Sequence, residues 1–298
     1  MRVSFLSAII FAIIICGTNC QTAIAQSGNN TATLQHINVH TNLGRYLNAK
    51  KWNALFPNRY GIKNGKTIAG EKDIYSFQAF MQAAKKFPQF LSDGDEPTRK
   101  RELAAFLANI AQETSGGWDA APGGYFAWGL HYIEEQGCEN GCYRYSDTNN
   151  KQYYPVKNTS YHGRGPKQLS WNYNYGQFSA AYFGNKEVLL KNPSLLSTDP
   201  VVSFASAIWF WMTAQPPKPS CHDITTGKWV PTAHDIQNGR MPGFGATVNV
   251  INGGIECGNN DALTKTKYRY QYYRYFCQYF KVAPGNNIEC STQKPFNL

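Results

Sequence analysis

Residues 106–118 read FLANIAQETSGGW, the end of an amphipathic helix that breaks at Gly116 and Gly117. Phe106, Ile110 and Glu113 follow the i, i+4, i+7 spacing of one helical face, so a carboxylate stands where an apolar residue belongs. Two readings follow from that position. Burial raises the pKa of a carboxyl and can keep it protonated near neutrality, as a general acid requires. Alternatively, Glu113 is a helix-end carboxylate paired with a buried arginine. SDGDEPT, residues 92–98, begins the same helix, with Asp95 or Glu96 as cap and Pro97 in the first turn. Leu103, Phe106, Leu107 and Ile110 supply its apolar stripe.

Outward from this helix the pattern stays helical. One helix is expected over Leu47–Leu55, followed by a Gly/Asn/Lys loop through Gly70, and another over Tyr75–Phe87, closed by Pro88. Asp199 and Pro200 open DPVVSFASAIWFWMTA, which is apolar nearly all round and reads as a central buried helix ended before Pro216-Pro217. A last helix is expected over Ala262–Phe280. Between Gly116 and Ser170 the chain is rich in Gly, Asn, Tyr and Pro; long irregular segments of this kind inside compact proteins usually carry function. No internal repeat and no β-type alternation occurs, so the fold class is mainly α.

The N-terminus, MRVSFLSAIIFAIIICGTNCQTAIAQ, has a basic start, an apolar run and an Ala-x-Ala pattern before Gln26, which marks residues 1–25 as a signal peptide. The run is shorter than the roughly 20 residues of a spanning helix. Residues 26–46 read as a flexible leader and 47–298 as the folded domain, secreted to an extracellular or periplasmic space and free of the membrane. The 298 residues carry a net charge of +10, and cleavage would remove one arginine and no acid. That charge favours anionic partners or surfaces, but the basic residues are scattered, which argues against nucleic acid. YRYQYYRYF, residues 268–276, interleaves basic and aromatic residues; at helical spacing it reads as packing plus a solvated basic face. The six histidines form neither a hydrolytic triad nor a metal set, so no metal and no cofactor is expected.

Six cysteines follow the signal: Cys138, Cys142, Cys221, Cys257, Cys277 and Cys290. An even number in an oxidising compartment points to disulfides. Cys138 and Cys142 lack metal-ligand partners nearby and read as a local bridge across CENGC. The other pairings stay open on spacing alone.

A second carboxyl site, Glu134-Glu135, lies in the loop sequence WGLHYIEEQG. Two carboxyls with pKa values pushed apart are what glycoside hydrolysis needs. YHGRGPKQLSWNYNYG, residues 161–176, and VINGGIECG, residues 250–258, add amides, hydroxyls and aromatic faces suited to N-acetyl sugars.

AQETSGGW, YHGRGPKQLSWNYNYG, AIWFWMTAQPPKPS, GRMPGFGATVNVINGGIECG and NNIEC together closely resemble family 19 chitinases, from about residue 47 to 298. The resemblance implies a two-lobed, lysozyme-like fold with a sugar-binding cleft between the lobes. It implies Glu113 as general acid, Glu135 as general base (Glu134 if the loop is one residue out of register) and Ser170 as a holder of the attacking water. Gln168, Tyr173, Asn174, Lys218 and Asn252 match cleft residues that contact sugar, and Glu256 and Arg269 match a charge network beside the acid. Gln112, at a position expected to contact sugar, replaces the histidine that many members carry before the acid. An aromatic sugar platform falls at Tyr153 or Tyr154. Cys257–Cys290 matches a family bridge. A first family bridge is missing, with no cysteine near residues 55–70 and His131 at its other end.

The reading is thus an inverting endochitinase acting as a monomer on chitin and chitooligosaccharides. Two alternatives remain: a peptidoglycan hydrolase of the same fold, and a chitin-binding lectin without activity.

Overall fold

The computed structural model describes residues 42–258 and 263–296. The signal peptide, most of the leader and Ala262 lie outside them. The end of the expected leader does not behave as one: residues 42–46 are helical, and Leu43 and Tyr46 are buried. Their apolar side chains gain more by joining the core than by remaining in water.

Helix α1 (Ala49–Leu55) is capped by the Asn48 side chain, and α2 (Phe77–Ala84) by Ser76. The latter stops three residues short of the expected end, because the turn before Pro88 already departs from the helix. Helix α3 (Glu96–Glu113) resolves the choice of cap: the Asp95 carboxylate accepts from the Thr98 N–H, with Pro97 in the first turn. Between α1 and α2 a hairpin forms that no alternation announced, pairing β1 (Ile62–Lys63) with β2 (Lys66–Thr67). Its turn is Asn64-Gly65, both at positive φ, as a tight hairpin requires.

After the irregular segment come α4 (Asn172–Phe183), α5 (Glu187–Lys191), α6 (Leu195–Thr198) and α7 (Pro200–Met212). Every residue from Val202 to Trp211 is buried, as expected for the central helix. Helices α8 (Cys221–Thr226), α9 (Ala233–Gln237), α10 (Phe244–Glu256) and α11 (Leu263–Tyr279) complete the fold.

The core is aromatic. Phe106 of α3 stacks on Phe80 with centroids 5.7 Å apart and meets Trp211 edge-on at 5.6 Å. Burying each such side chain contributes about 1.5–3 kcal/mol. Helix α11 lies along α3 and turns Tyr272 and Phe276 inward. Of its two arginines near the core, Arg269 points in and Arg274 points out.

Helix α3 also buries Glu102. The His222 Nδ1 and the Trp211 indole N–H lie 2.7 and 3.1 Å from its Oε1, and Asp93 holds the far side of the imidazole. Burial alone would lower the His222 pKa, but the two carboxylates raise it. The charged strut ties α3 to α8 and keeps the helix that bears Glu113 in place.

Candidate active site

Glu113 ends α3 with its side chain 14% exposed. Arg269 of α11 reaches its Oε1 at 2.5 Å, and Lys167 Nζ stands 3.7 Å from Oε2. The second sequence reading therefore holds, and the expectation of a raised pKa does not. Burial pushes the carboxyl up, but the two cations outweigh it and hold Glu113 below the ordinary glutamate value.

Arg269 is clamped in turn by Glu256, with Nε and Nη2 contacts of 2.9 and 2.6 Å, and it donates to Asn109 Oδ1 at 3.1 Å. Burial opposes its charge, yet Glu256 and Glu113 raise its pKa further. Asn252 donates to Glu256 at 2.9 Å. It can do so because α10 breaks there: Asn252 has φ −146° and ψ 30°, off the helical track just before Gly253-Gly254. The expected network Glu113–Arg269–Glu256 thus exists and extends to Asn252 through a local kink.

Gln168, Ser170, Tyr173, Asn174, Lys218 and Asn252 line one recess of about 600 Å³. Its floor comes from the turn at 163–171. Gly165 needs its φ of +73° there, and a Cβ would press on Ser203 Oγ at 3.0 Å. Gln168 (φ 51°) and Trp171 (φ 76°) take the same left-handed region despite having side chains. Such strain, of order 1–3 kcal/mol per residue, concentrates where a site is being shaped. Asn174 Oδ1 and Gln215 Nε2 line this recess, buried and without a partner among the described residues, as suits polar groups awaiting a ligand. Burial, with Lys167 adding to it, lowers the Lys218 pKa.

Glu134 and Glu135 line a second recess of about 620 Å³ with Tyr132 and His131. Extended backbone turns successive side chains opposite ways. Glu134 meets His162 Nε2 and Arg164 Nε, each at 3.1 Å. The His162 hydrogen bond leads in lowering its pKa to about 2, against partial burial. Glu135 accepts from the Tyr145 hydroxyl at 2.8 Å and the Gly163 N–H at 3.2 Å, and it pairs with Arg144. Backbone bonds from Glu135 N–H to Gly163 and from Gly165 N–H to Ile133 join this loop to the floor of the first recess.

Two expected contacts stand apart from both recesses. Gln112 accepts from the Tyr125 hydroxyl at 3.2 Å, bracing the end of α3. Tyr154 is 53% exposed, with Lys151 Nζ 5.3 Å from its ring centroid, whereas Tyr153 is packed on Gly176. Both named disulfides form, Cys138–Cys142 and Cys257–Cys290, while Cys221 and Cys277 are free and buried. Sequence reasoning missed Lys167, Arg144, Tyr145, His162 and Arg164. Lys167 sits inside a recognised motif, but neither period nor spacing aims it at Glu113.

A mainly helical, lysozyme-like fold with a buried carboxyl beside an amide-lined recess defines a glycoside hydrolase. The chain matches the family model for chitinase class I, glycoside hydrolase family 19, over residues 52–290, and it belongs to that family. It is 41% identical over 284 residues to Endochitinase A2 of Pisum sativum, covering 94% of this chain and 79% of that one. It is 42% identical over 284 residues to Inactive chitinase-like protein 1 of Hevea brasiliensis, covering 95% and 84%. Chitinase C from Streptomyces griseus superimposes with a TM-score of 0.62 at 31% identity, covering 83% and 81% of the chains.

Proposed function

We propose that the protein is a secreted, monomeric endochitinase that hydrolyses β-1,4 N-acetylglucosamine chains with inversion at the anomeric carbon. The observation that carries this reading is the coupling of Glu113 to the recess holding Gln168, Ser170, Asn174, Lys218 and Asn252. Glu113 protonates the glycosidic oxygen through Oε2, the oxygen Arg269 leaves free. Glu135, with Ser170, directs water to the opposite face of the sugar. The two carboxyls keep separate partners, Arg269 and Lys167 for one, Arg144, Tyr145 and Gly163 for the other. An inverting mechanism asks for about 6.5–9.5 Å between the carboxyls, room for the water. The amides of the recess offer the donors and acceptors that acetamido groups need. Tyr154, exposed and flat, is the better placed of the two tyrosines to stack on an outer sugar.

Proton NMR of chitin hexasaccharide during digestion tests the assignment. Wild type should release the α-anomer first, and Glu113→Gln should lose about 10²–10⁴-fold in rate. Early β-anomer would refute inversion. Two observations favour a second reading, a non-catalytic chitin binder: the similarity to the Hevea brasiliensis protein and the lowered pKa of Glu113 in the sugar-free cleft. Binding of hexasaccharide without cleavage would support it. Clearing of a bacterial wall suspension would instead extend the substrate to peptidoglycan.

A further inference from the structure

The carboxyl of Glu113 is held unequally. Arg269 grips Oε1 at 2.5 Å and is locked behind by Glu256 and Asn109. On Oε2 the only charged neighbour among the described residues is Lys167, whose Nζ is 3.7 Å away, beyond hydrogen-bond reach. In that same position Nζ is 4.6 Å from the centroid of the Phe210 ring on α7, so the ammonium has a hold besides the carboxylate. An aromatic face can hold an ammonium in that way. Lys167 also lines the recess beside Gln168 and Ser170, where an entering sugar meets it. Its other charged or titratable surroundings are Lys218, which shares the recess, and the buried Cys221 thiol; Glu256 reaches Glu113 through Arg269 alone.

We propose that Lys167 gates the acid: its ammonium stands beside Oε2 in the sugar-free cleft and is drawn off it when sugar enters, still held on the Phe210 face, so that Oε2 takes a proton from solvent only with substrate bound. That proton passes to the glycosidic oxygen, and the one removed from the attacking water goes to Glu135. The gate deepens the proposed function and rests on Glu113 being its acid. Lys167 is a positioning residue here, acting on the sugar bond through Glu113.

The sign of the effect is fixed by the chemistry. An acid must carry its proton to act, so the rate falls as pH rises through its pKa. An opposite charge at this range moves a carboxyl's titration down by about 1–3 pH units. The high-pH limb of kcat/KM reports the free enzyme, and that of kcat the bound enzyme.

Rates on chitin hexasaccharide across pH, for wild type, Lys167→Met, Lys167→Arg and Glu113→Gln, test the gate. In wild type the kcat/KM limb should lie about one pH unit or more below the kcat limb. Lys167→Met should raise the kcat/KM limb and close the gap, and Lys167→Arg should preserve it. Coincident limbs in wild type would overturn the gate even if the methionine variant failed to fold. A methionine variant with altered KM and unmoved limbs would make Lys167 a plain sugar contact and overturn it too. If Glu113→Gln kept the wild-type rate, the acid assignment itself would fall. An inactive Glu113→Gln beside unmoved limbs in Lys167→Met would sink the gate alone.

Discussion

The two carboxyl sites are built from opposite materials. Glu113 ends a long helix, and its charge is answered by Arg269 from another helix, which Glu256 from a third helix holds in place, itself met by Asn252 at a kink in that third. Glu135 sits in irregular chain, and its partners Arg144 and Tyr145 belong to a single short turn on the surface. One side is a buried ladder of interlocked charges. The other is a half-open arm tied down by a backbone N–H, a hydroxyl and an exposed guanidinium. Acid chemistry needs a fixed, dry environment, whereas holding a water needs access to solvent, so the contrast fits the division of labour in the proposed inverting mechanism.

The sharpest way to break this comparison is Arg269→Met. It would leave Glu113 and Glu256 buried with no guanidinium between them. Removing one member of a buried ion network typically costs about 3–5 kcal/mol, mostly the cost of the charges left behind. Denaturant unfolding should show a loss of that order, larger than for any other single substitution at either carboxyl site. A loss under about 1 kcal/mol would mean that water reaches the ladder and that it is no more buried than the arm.

The disulfides divide along the same line. Cys257–Cys290 closes 33 residues just after Glu256, on the ladder side, and Cys138–Cys142 closes 4 residues beyond Glu135, on the arm side. Chain-entropy arguments give about 4 kcal/mol for the long loop and about 2 for the short one. Replacing each pair with serine and measuring the unfolding midpoint should rank them in that order. Equal losses would show that the arm is braced as firmly as the ladder.

The ladder was also the more legible of the two sides. Helical period alone placed Glu113 on an apolar face, and a cap at Asp95 or Glu96 and the buried run Val202–Trp211 followed from rules about local sequence. Period could not say which of Arg269 and Arg274 turns inward, since both stand in one aromatic run; only the family resemblance chose Arg269. The partners of Glu134 and Glu135 had no such signal. Arg144, Tyr145, His162 and Arg164 are brought to the carboxylates by turns whose course is set by tertiary contacts, and irregular chain has no repeat to read. Lys167 was hidden for the same reason, one residue before the strained Gln168. The hairpin at 62–67 escaped because two-residue strands are too short to alternate, although its Asn-Gly turn was in plain view.

The smallest expected effect tests the arm directly. Arg144 is 62% exposed at its side chain, so its ion pair with Glu135 is screened by water. Arg144→Ala should leave the thermal midpoint unchanged within error. Activity should fall modestly, by at most about tenfold, against the 10²–10⁴-fold contribution of a full acid–base group. The reason is redundancy: the Tyr145 hydroxyl and the Gly163 N–H still hold Glu135 when the guanidinium is gone. A larger fall in kcat, with the fold intact, would mean that Arg144 orients the base alone and that the arm is rigid after all. Adding Tyr145→Phe to Arg144→Ala sharpens the test, because only the backbone N–H then remains. If the double variant loses far more activity than the product of the two single losses, the arm works through shared support, and its looseness is the property that lets Glu135 follow a water.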